Sequence, residues 1–275
     1  KTGLSYLLIF GKLGLPALGA AGAGVLGGAA AWPNPGQGCS SYLVEASDTA
    51  LLIDCGPNTV LTLREHVDYH AVDAVVISHW HSDHILDLIP YRYGLVYGPG
   101  ELSRPIPLWL PTEGREHLAG IAAAISGSDE DASVFWSRVF DIREYEPDDV
   151  LEVGGLRLSF AVTQHPLPCR AIRVDHRSGA SIAYSADTGA IAPLVELFRD
   201  ADVALIEATL DAYEPMPPTH LTPEDAGRLA RRANVRQLIL THLWSERPAE
   251  QVIARAMTEY AGPTRVAARG LVVDV

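Results

Sequence analysis

The sequence predicts a layered α/β fold, on three observations. From Cys39 onward, short apolar runs alternate with stretches that carry helix signals. Several of those runs stop at a histidine or an aspartate, as when strands deliver polar groups to one edge of a sheet. The 275 residues, 48% of them hydrophobic, suffice for one large domain with a sizeable core, and no linker, internal repeat or low-complexity segment divides them.

The elements follow in chain order. Residues 1–24 are read as a leader or extension outside a single domain over 25–275. An apolar stretch Leu4–Phe10 and a Gly/Ala-rich run up to Ala31 superficially resemble a secretory signal. Lys12 interrupts that stretch and six glycines between Leu13 and Trp32 weaken any spanning helix, so no membrane segment is expected. Gly22, Gly24 and Gly27 formally match a dinucleotide-binding fingerprint. Pro33 and Pro35 follow too soon for the helix that fingerprint needs, so a turn-rich strand end is expected. Ser41–Glu45 and Ala50–Asp54 read as a hairpin. Val75–Ser78, Pro107–Leu110, Leu156–Thr163, Ala180–Ser185, Val203–Ile206 and Leu238–Thr241 read as further strands. Thr222-Pro223-Glu224-Asp225 opens a helix with a cap, a proline and early acids, running to about Arg232. Helices are also expected near Gly114–Ser126, Ile191–Phe198 and Ala249–Tyr260.

The net charge of -13, with only two lysines, repels polyanions and argues against extended nucleic-acid binding. Cys39, Cys55 and Cys169 are widely spaced, without a CxxC pair, and read as small buried residues of a reducing compartment rather than a disulfide framework.

One stretch resists a packing explanation: Ser78-His-Trp-His-Ser-Asp-His84 sets three histidines and an aspartate into six positions. A core does not easily satisfy them, because each buried imidazole or carboxylate needs a partner, and a metal ion is the shared partner that fits. His79 and His81 lie on one side of an extended segment, while Asp83 and His84 come as the chain turns. Further donors stand where apolar strands stop: His165 after Leu158–Gln164, Asp187 after Ala183–Ala186, and His242 after Leu238–Thr241. Imidazoles and carboxylates suit zinc, with manganese or iron compatible.

With SHWHSDH, Ile53-Asp54-Cys55-Gly56, TQHP at 164–166, YSADTG at 184–189, HLT at 220–222 and THL at 241–243, the chain resembles the metallo-β-lactamase superfamily. The resemblance covers Val25–Val275 and is closest to the short ribonuclease Z-like branch. It implies an αββα four-layer sandwich with two metals at one edge. His79, His81 and His165 would hold one, Asp83, His84 and His242 the other, and Asp187 would bridge them. It implies a metal-bridging hydroxide as nucleophile, Asp83 as the group orienting it or accepting its proton, and Asp54 behind a ligand histidine. His220 would be the acid for the leaving alkoxide, against capping or packing beside Thr222. Because the first strand should end near Val25-Leu26-Gly27, cleavage after Ala31 would delete it; a cytoplasmic protein is expected, with secretion the alternative.

Where the chain departs from ribonuclease Z, it narrows the substrate. The arm that grips tRNA in that branch is inserted between the third metal histidine and the bridging aspartate, yet only residues 166–186 lie between His165 and Asp187 here. Asp187 also sets the chain apart from true β-lactamases, and His81 from the diiron relatives with glutamate there. The expectation is a dinuclear metal hydrolase of a small phosphodiester, ester or lactone. The alternatives are a tRNA 3′-end endonuclease and a non-catalytic scaffold of the same fold, and a homodimer stays open. Tyr91, Tyr93 and Tyr97, on a glycine-rich loop, are candidates for lining a substrate pocket, against simply covering the core. Arg170 is a candidate for an anionic group, against a solvated charge, as is Arg173. His66, His70, His117 and His176 read as surface or packing residues.

Overall fold

Along the chain the strands come in two blocks. The first holds β1 (Gly22–Ala29), β2 (Gly38–Cys39), β3 (Ser41–Ala46), β4 (Thr49–Ile53), β5 (Ala74–Val76), β6 (Ile106–Pro111) and β7 (Phe140–Tyr145). The second holds β8 (Leu151–Val153), β9 (Leu156–Val162), β10 (Arg170–His176), β11 (Ser181–Tyr184), β12 (Val203–Glu207), β13 (Gln237–Thr241) and β14 (Thr264–Val266), after which β15 (Val272–Asp274) returns to the first. In this computed structural model, residues 21–46, 49–212 and 217–275 are described. One sheet has the order β15-β1-β3-β4-β5-β6-β7, with β2 beside β1; the other runs β14-β13-β12-β11-β10-β9-β8.

Alternation along each strand sorts the apolar side chains into three cores, and the three cores make four layers. Tyr42, Val44, Leu51 and Ile53 join Ile172, Val174, Val203 and Leu205 between the sheets. Leu43, Leu52, Val75 and Leu108 instead meet α1 (Thr59–His66), α2 (Ser82–Ile85), α3 (Leu88–Tyr97) and α4 (Gly114–Ile125) through Leu63, Ile85, Tyr91 and Leu118. A short α5 (Asp129–Val134) follows them. On the far side, Ala183, Ala204, Ile206 and Leu240 meet α6 (Pro193–Leu197), α7 (Pro223–Arg232) and α8 (Ala249–Ala256) through Leu194, Leu229 and Val252. The architecture is the αββα sandwich. Helix α7 starts as its sequence dictates: the Thr222 side chain accepts from the Asp225 amide, and the Asp225 side chain accepts from the Thr222 amide. No helix among the described residues is long and apolar enough to cross a membrane.

Several expectations are corrected. The glycine-rich stretch at 22–27 is strand interior, and β1 takes in residues 22–24, which had been assigned to the extension. Gly27 is needed for closeness rather than for a turn, since a Cβ there would meet the Cys39 carbonyl oxygen at 2.0 Å. Residues 1–20 of the expected extension lie outside the described residues.

The stretch Pro90–Tyr97 is helix α3 and not a loop. Leu88, Tyr91, Arg92 and Leu95 recur at helical spacing and are its buried residues, while Pro90 sits in the first turn, where its missing N–H removes no helical bond. Tyr91 is fully buried and its hydroxyl donates to the Tyr69 carbonyl, so it lines no substrate pocket. Tyr93 and Tyr97 are exposed and stack on each other, with the Arg92 guanidinium over both rings. Arg170 is not a solvated charge: it is 7% exposed, lies on the strand face between the sheets, and donates to the Cys169 carbonyl. Arg173 is taken up by Asp175 and by the carbonyls of Leu197 and Arg199 at the end of α6.

All three cysteines are free and buried. Burial, reinforced by the charges of Asp83 and Asp87, pushes the Cys39 thiol up to about 12, and burial pushes Cys55 and Cys169 well up too. Thiolates are the reactive form. Maleimide is therefore expected to label no cysteine in the native protein and all three after denaturation, read by intact-mass spectrometry. Rapid native labelling of any one would remove it from the core.

Candidate metal centre

The seven proposed ligands and Asp54 stand at one edge of the sandwich, on segments that follow the ends of β4, β5, β9, β11 and β13. The chain leaves β5, passes Ser78 and His79, and turns into α2 with His81, in extended conformation, at its cap position and Asp83 and His84 in its first turn. His165 follows β9, Asp187 follows β11 and His242 follows β13. Gly56 lets this corner close, since a Cβ there would lie 1.9 Å from the Asp83 carbonyl oxygen. The Cys55 amide donates to the His84 carbonyl at 2.7 Å and the Asp87 amide to the Cys55 carbonyl at 2.9 Å.

Three groups of donors form there, each with its ligand atoms within 4.8 Å of one another: an overlapping set of Asp187, His220 and His242, and the two principal sets, His79, His81, His165 and Asp187, and Asp83, His84 and His242. Asp187 faces both. Its Oδ2 lies 3.6 Å from His79 Nε2 and 4.0 Å from His165 Nε2. Its Oδ1 lies 3.4 Å from His84 Nε2 and 3.5 Å from His242 Nε2.

The outward ring nitrogens have partners that fix the tautomers. His84 Nδ1–H donates to Asp54 Oδ2 at 2.7 Å, and His242 Nδ1–H to Thr209 Oγ1 at 2.7 Å. His79 Nδ1 meets Ser78 Oγ at 3.1 Å and His165 Nδ1 the Thr219 carbonyl at 3.5 Å. With the proton placed outside by these partners, each of the four rings turns an Nε2 lone pair inward. His81 instead turns Nδ1 inward, 3.1 Å from His79 Nε2 and 3.0 Å from His165 Nε2.

Ring nitrogens crowded this closely favour a shared positive charge among them, and protonation of the protein's own groups is a poor source of that charge. Burial, then the neighbouring His84, holds His79 well below the ordinary imidazole range, and burial also holds His81 and His165 down. Asp83 Oδ2 lies 3.0 Å from His242 Nε2 and accepts from the Ala31 amide at 2.8 Å. Burial pushes the Asp83 carboxyl up, but the close approach of His242 and then of His84 outweighs it, leaving it well below the usual carboxylate range. His84 is the exception: burial opposes its charge, yet Asp187 and Asp54 on either side push it well up. Its Nε2 and Asp187 Oδ1 are nonetheless buried without hydrogen-bond partners. Imidazole and carboxylate donors with orphaned inward atoms fit bound divalent cations, which would take the place of protons there.

Asp54 lies behind the centre, fully buried, and joins it to the second sheet. It accepts from the Ser78 amide, the Ser78 hydroxyl, His84 and the Tyr184 hydroxyl at 2.7–2.9 Å. His220 stands at the open side, stacked on His242 at 5.7 Å between ring centroids and edge-on to His165 at 5.3 Å. The residue overlooked by sequence reasoning is Glu207, fully buried at the end of β12. Its Oε1 accepts from His220 Nδ1 at 2.9 Å and the Thr188 amide at 2.7 Å, and its Oε2 from the Thr209 hydroxyl at 2.7 Å and the Leu221 amide at 3.2 Å. The signal was present, since an apolar strand ending in an acid repeats the pattern that marked His165, Asp187 and His242. Tyr93 and Tyr97 stack on each other and Arg170 donates to the Cys169 carbonyl instead of joining these contacts, and His70 and His117 are occupied by Asp68 and by stacking on Trp80.

The sequence profile described as "Beta-lactamase superfamily domain" matches residues 49–243. The chain is 35% identical over 243 residues to the uncharacterized protein Rv1339 of Mycobacterium tuberculosis, covering 87% of this chain and 86% of that one. It is 28% identical over 292 residues to ribonuclease Z of Kineococcus radiotolerans, covering 88% and 90%. The crystal structure of the metallo-beta-lactamase fold protein YhfI from Bacillus subtilis superposes with a TM-score of 0.81 at 25% identity, over 92% of this chain and 98% of that one.

Asp54→Asn leaves the size of the side chain and replaces one of the two carboxylate oxygens with an NH2 donor, weakening the acceptor set that orients His84. Divalent-metal affinity, measured by competition with a chromophoric chelator, is expected to fall about 10–100-fold while the far-ultraviolet circular dichroism is retained. Unchanged affinity in a folded variant would show that Asp54 does not position His84.

Proposed function

The chain belongs to the beta-lactamase superfamily of metallo-hydrolases, and from that premise we propose that it is a two-metal hydrolase of small phosphodiesters. The observation that carries the reading is the division of Asp187, whose two oxygens face different sets of histidines. His79, His81 and His165 would hold one metal, Asp83, His84 and His242 the other, and Asp187 both, with zinc favoured by the donors and manganese or iron compatible. When bound, the pair supplies Lewis acidity toward the phosphoryl oxygens and activates water.

The protein's own groups then divide the proton traffic. Asp83, held ionised by the close approach of His242 and His84, accepts the proton of the attacking water. His220, its Nδ1 held by the buried Glu207 carboxylate, offers Nε2 to the oxygen that leaves phosphorus. The P–O bond to that oxygen breaks, the water oxygen bonds to phosphorus, and the alkoxide leaves as an alcohol with the His220 proton. An acid placed for an alkoxide favours phosphodiesters over lactones and activated esters.

Transfer RNA is a weaker fit. Residues 166–186 are consumed by β10, its turn and β11, antiparallel neighbours inside the sheet, which leaves no projecting arm. The 28% identical relative named ribonuclease Z keeps that substrate in the test.

Purified, metal-reconstituted protein is expected to hold about two metal equivalents per chain and to cleave bis-p-nitrophenyl phosphate faster than p-nitrophenyl acetate, a lactone or a precursor tRNA. Chelation should abolish turnover. His220→Ala should lower kcat by about 10²–10⁴-fold on a diester with an alkyl leaving group, and less on one that releases p-nitrophenolate, which needs no proton. Equal losses on both would reject His220 as the acid, and an ester or tRNA ranking first would reject the substrate class.

A further inference from the structure

The segment after β1 brings an aromatic surface to the rim of the metal centre. The Ala31 amide donates to Asp83 Oδ2 at 2.8 Å, so covalent geometry keeps the Cα of the next residue, Trp32, within about 8 Å of that carboxylate. Trp32 is 51% exposed and its ring stacks on Trp244, with centroids 5.3 Å apart and planes 14° from parallel. Trp244 arrives from the other side of the centre, two residues after His242. The Arg247 guanidinium lies over it, 5.5 Å from the ring centroid, and donates to the Ala208 and Thr209 carbonyls. The aromatic pair therefore borders the centre from two loops, one bonded to Asp83 through the Ala31 amide and the other carrying His242.

The stack is held in place. Trp244 Nε1 donates to the Ala30 carbonyl at 2.9 Å, Asn34 Nδ2 to the Leu243 carbonyl at 2.9 Å, and the Ser245 amide to Asn34 Oδ1 at 3.0 Å. Pro33 and Pro35 flank Asn34 and restrict the backbone. Ala31 takes a left-handed conformation with φ of 57°, which swings Trp32 out of line with β1. An exposed indole pinned by cross-loop hydrogen bonds keeps apolar area in water with no gain to the core. One face is covered by Trp244, and the half exposure is what an open second face leaves.

We infer that Trp32, backed by Trp244, is a stacking shelf for a planar heterocycle carried by the substrate, making the preferred diester nucleotide-sized, with a nucleobase on one side of the phosphorus. The inference rests on the phosphodiesterase reading and narrows it. Base–aromatic stacking contributes about 1–3 kcal/mol per base, enough for roughly tenfold discrimination, and it tolerates different bases because each has a π-face.

The test compares the methyl ester of adenosine 5′-monophosphate with the methyl ester of ribose 5-phosphate, which lose the same methanol and differ in the purine. Wild type is expected to favour the adenosine ester about tenfold or more in kcat/KM. Trp32→Ala should bring that ratio toward one, and Trp32→Phe should restore most of it. A wild-type ratio near one, or a ratio indifferent to Trp32→Ala, overturns the shelf. Should wild type cleave neither ester, the diesterase reading fails by itself. Calorimetric binding of adenosine 5′-monophosphate against ribose 5-phosphate, in wild type and Trp32→Ala, then decides the shelf by the same ratio.

Discussion

A single buried carboxylate sets the conditions for everything at the edge of the sandwich. Asp54 has no contact with solvent, and an unpartnered charge there would cost several kcal/mol. It is satisfied only if four donors converge: the Ser78 amide and hydroxyl from the β5 loop, His84 from the following helix, and Tyr184 from the opposite sheet. The requirement runs both ways. Stability asks for the donors to be in register, and their register is what turns His84 Nε2 toward Asp187 and leaves the Ser78 hydroxyl to receive His79 Nδ1. Tyr184 packs against Tyr42, whose hydroxyl shares a 2.7 Å hydrogen bond with Thr241, the residue before His242. The inter-sheet core and the metal-facing residues are therefore parts of one polar-aromatic network.

Backbone strain gathers at the same edge. Ala31, Asp54, Ala186 and His242 all have positive φ, between 49° and 57°, a conformation that side chains with a Cβ adopt at some cost. Each lies at or just beyond a strand end, where pairing fixes the preceding residues and the next side chain must be re-aimed. Ala186 turns the chain so that Asp187 faces inward, and Ala31 redirects the chain just after its amide has met Asp83. The cost is borne by the sheets, whose central strands, such as β4 and β12, are buried on both faces, and what results is a set of donors whose directions were settled on folding.

Much of this was legible in the sequence, because strand-end polarity and the crowding of 79–84 are what the proposed metal donors would require of their positions. The seven proposed ligands, Asp54 and His220 converge as their positions implied, and the long apolar strands and the Thr222 helix lie where their patterns put them. What stayed hidden has physical causes. Strand β10 reads Arg-Ala-Ile-Arg-Val-Asp-His, and its charges suggested solvent; in the fold Arg173 finds the carbonyls closing α6, a partner invisible until the helix is placed. Helix α3 contains Pro90 and Gly94, which suggested a loop, whereas tertiary burial of Leu88, Tyr91 and Leu95 outweighs those propensities. Strands β7, β14 and β15 are short or carry charges along an edge, and pairing rather than composition defines them.

Glu207 shows how far the pattern reaches beyond the ligands themselves. One of its oxygens holds His220 and the other holds Thr209, whose hydroxyl in turn receives His242 Nδ1. Two imidazoles with different proposed tasks, one facing a metal and one carrying a proton, are thus referenced to the same buried acid. A shift of that acid moves both together, so the spacing between the proton donor and the metal-facing nitrogen is preserved better than if each had its own support. The stacked rings of His220 and His242, 15° from parallel, are the visible result of that shared anchor. The proposed reaction needs its acid and its metal-facing nitrogen at a fixed separation, and a common carboxylate, through His220 on one oxygen and Thr209 on the other, is suited to maintain it.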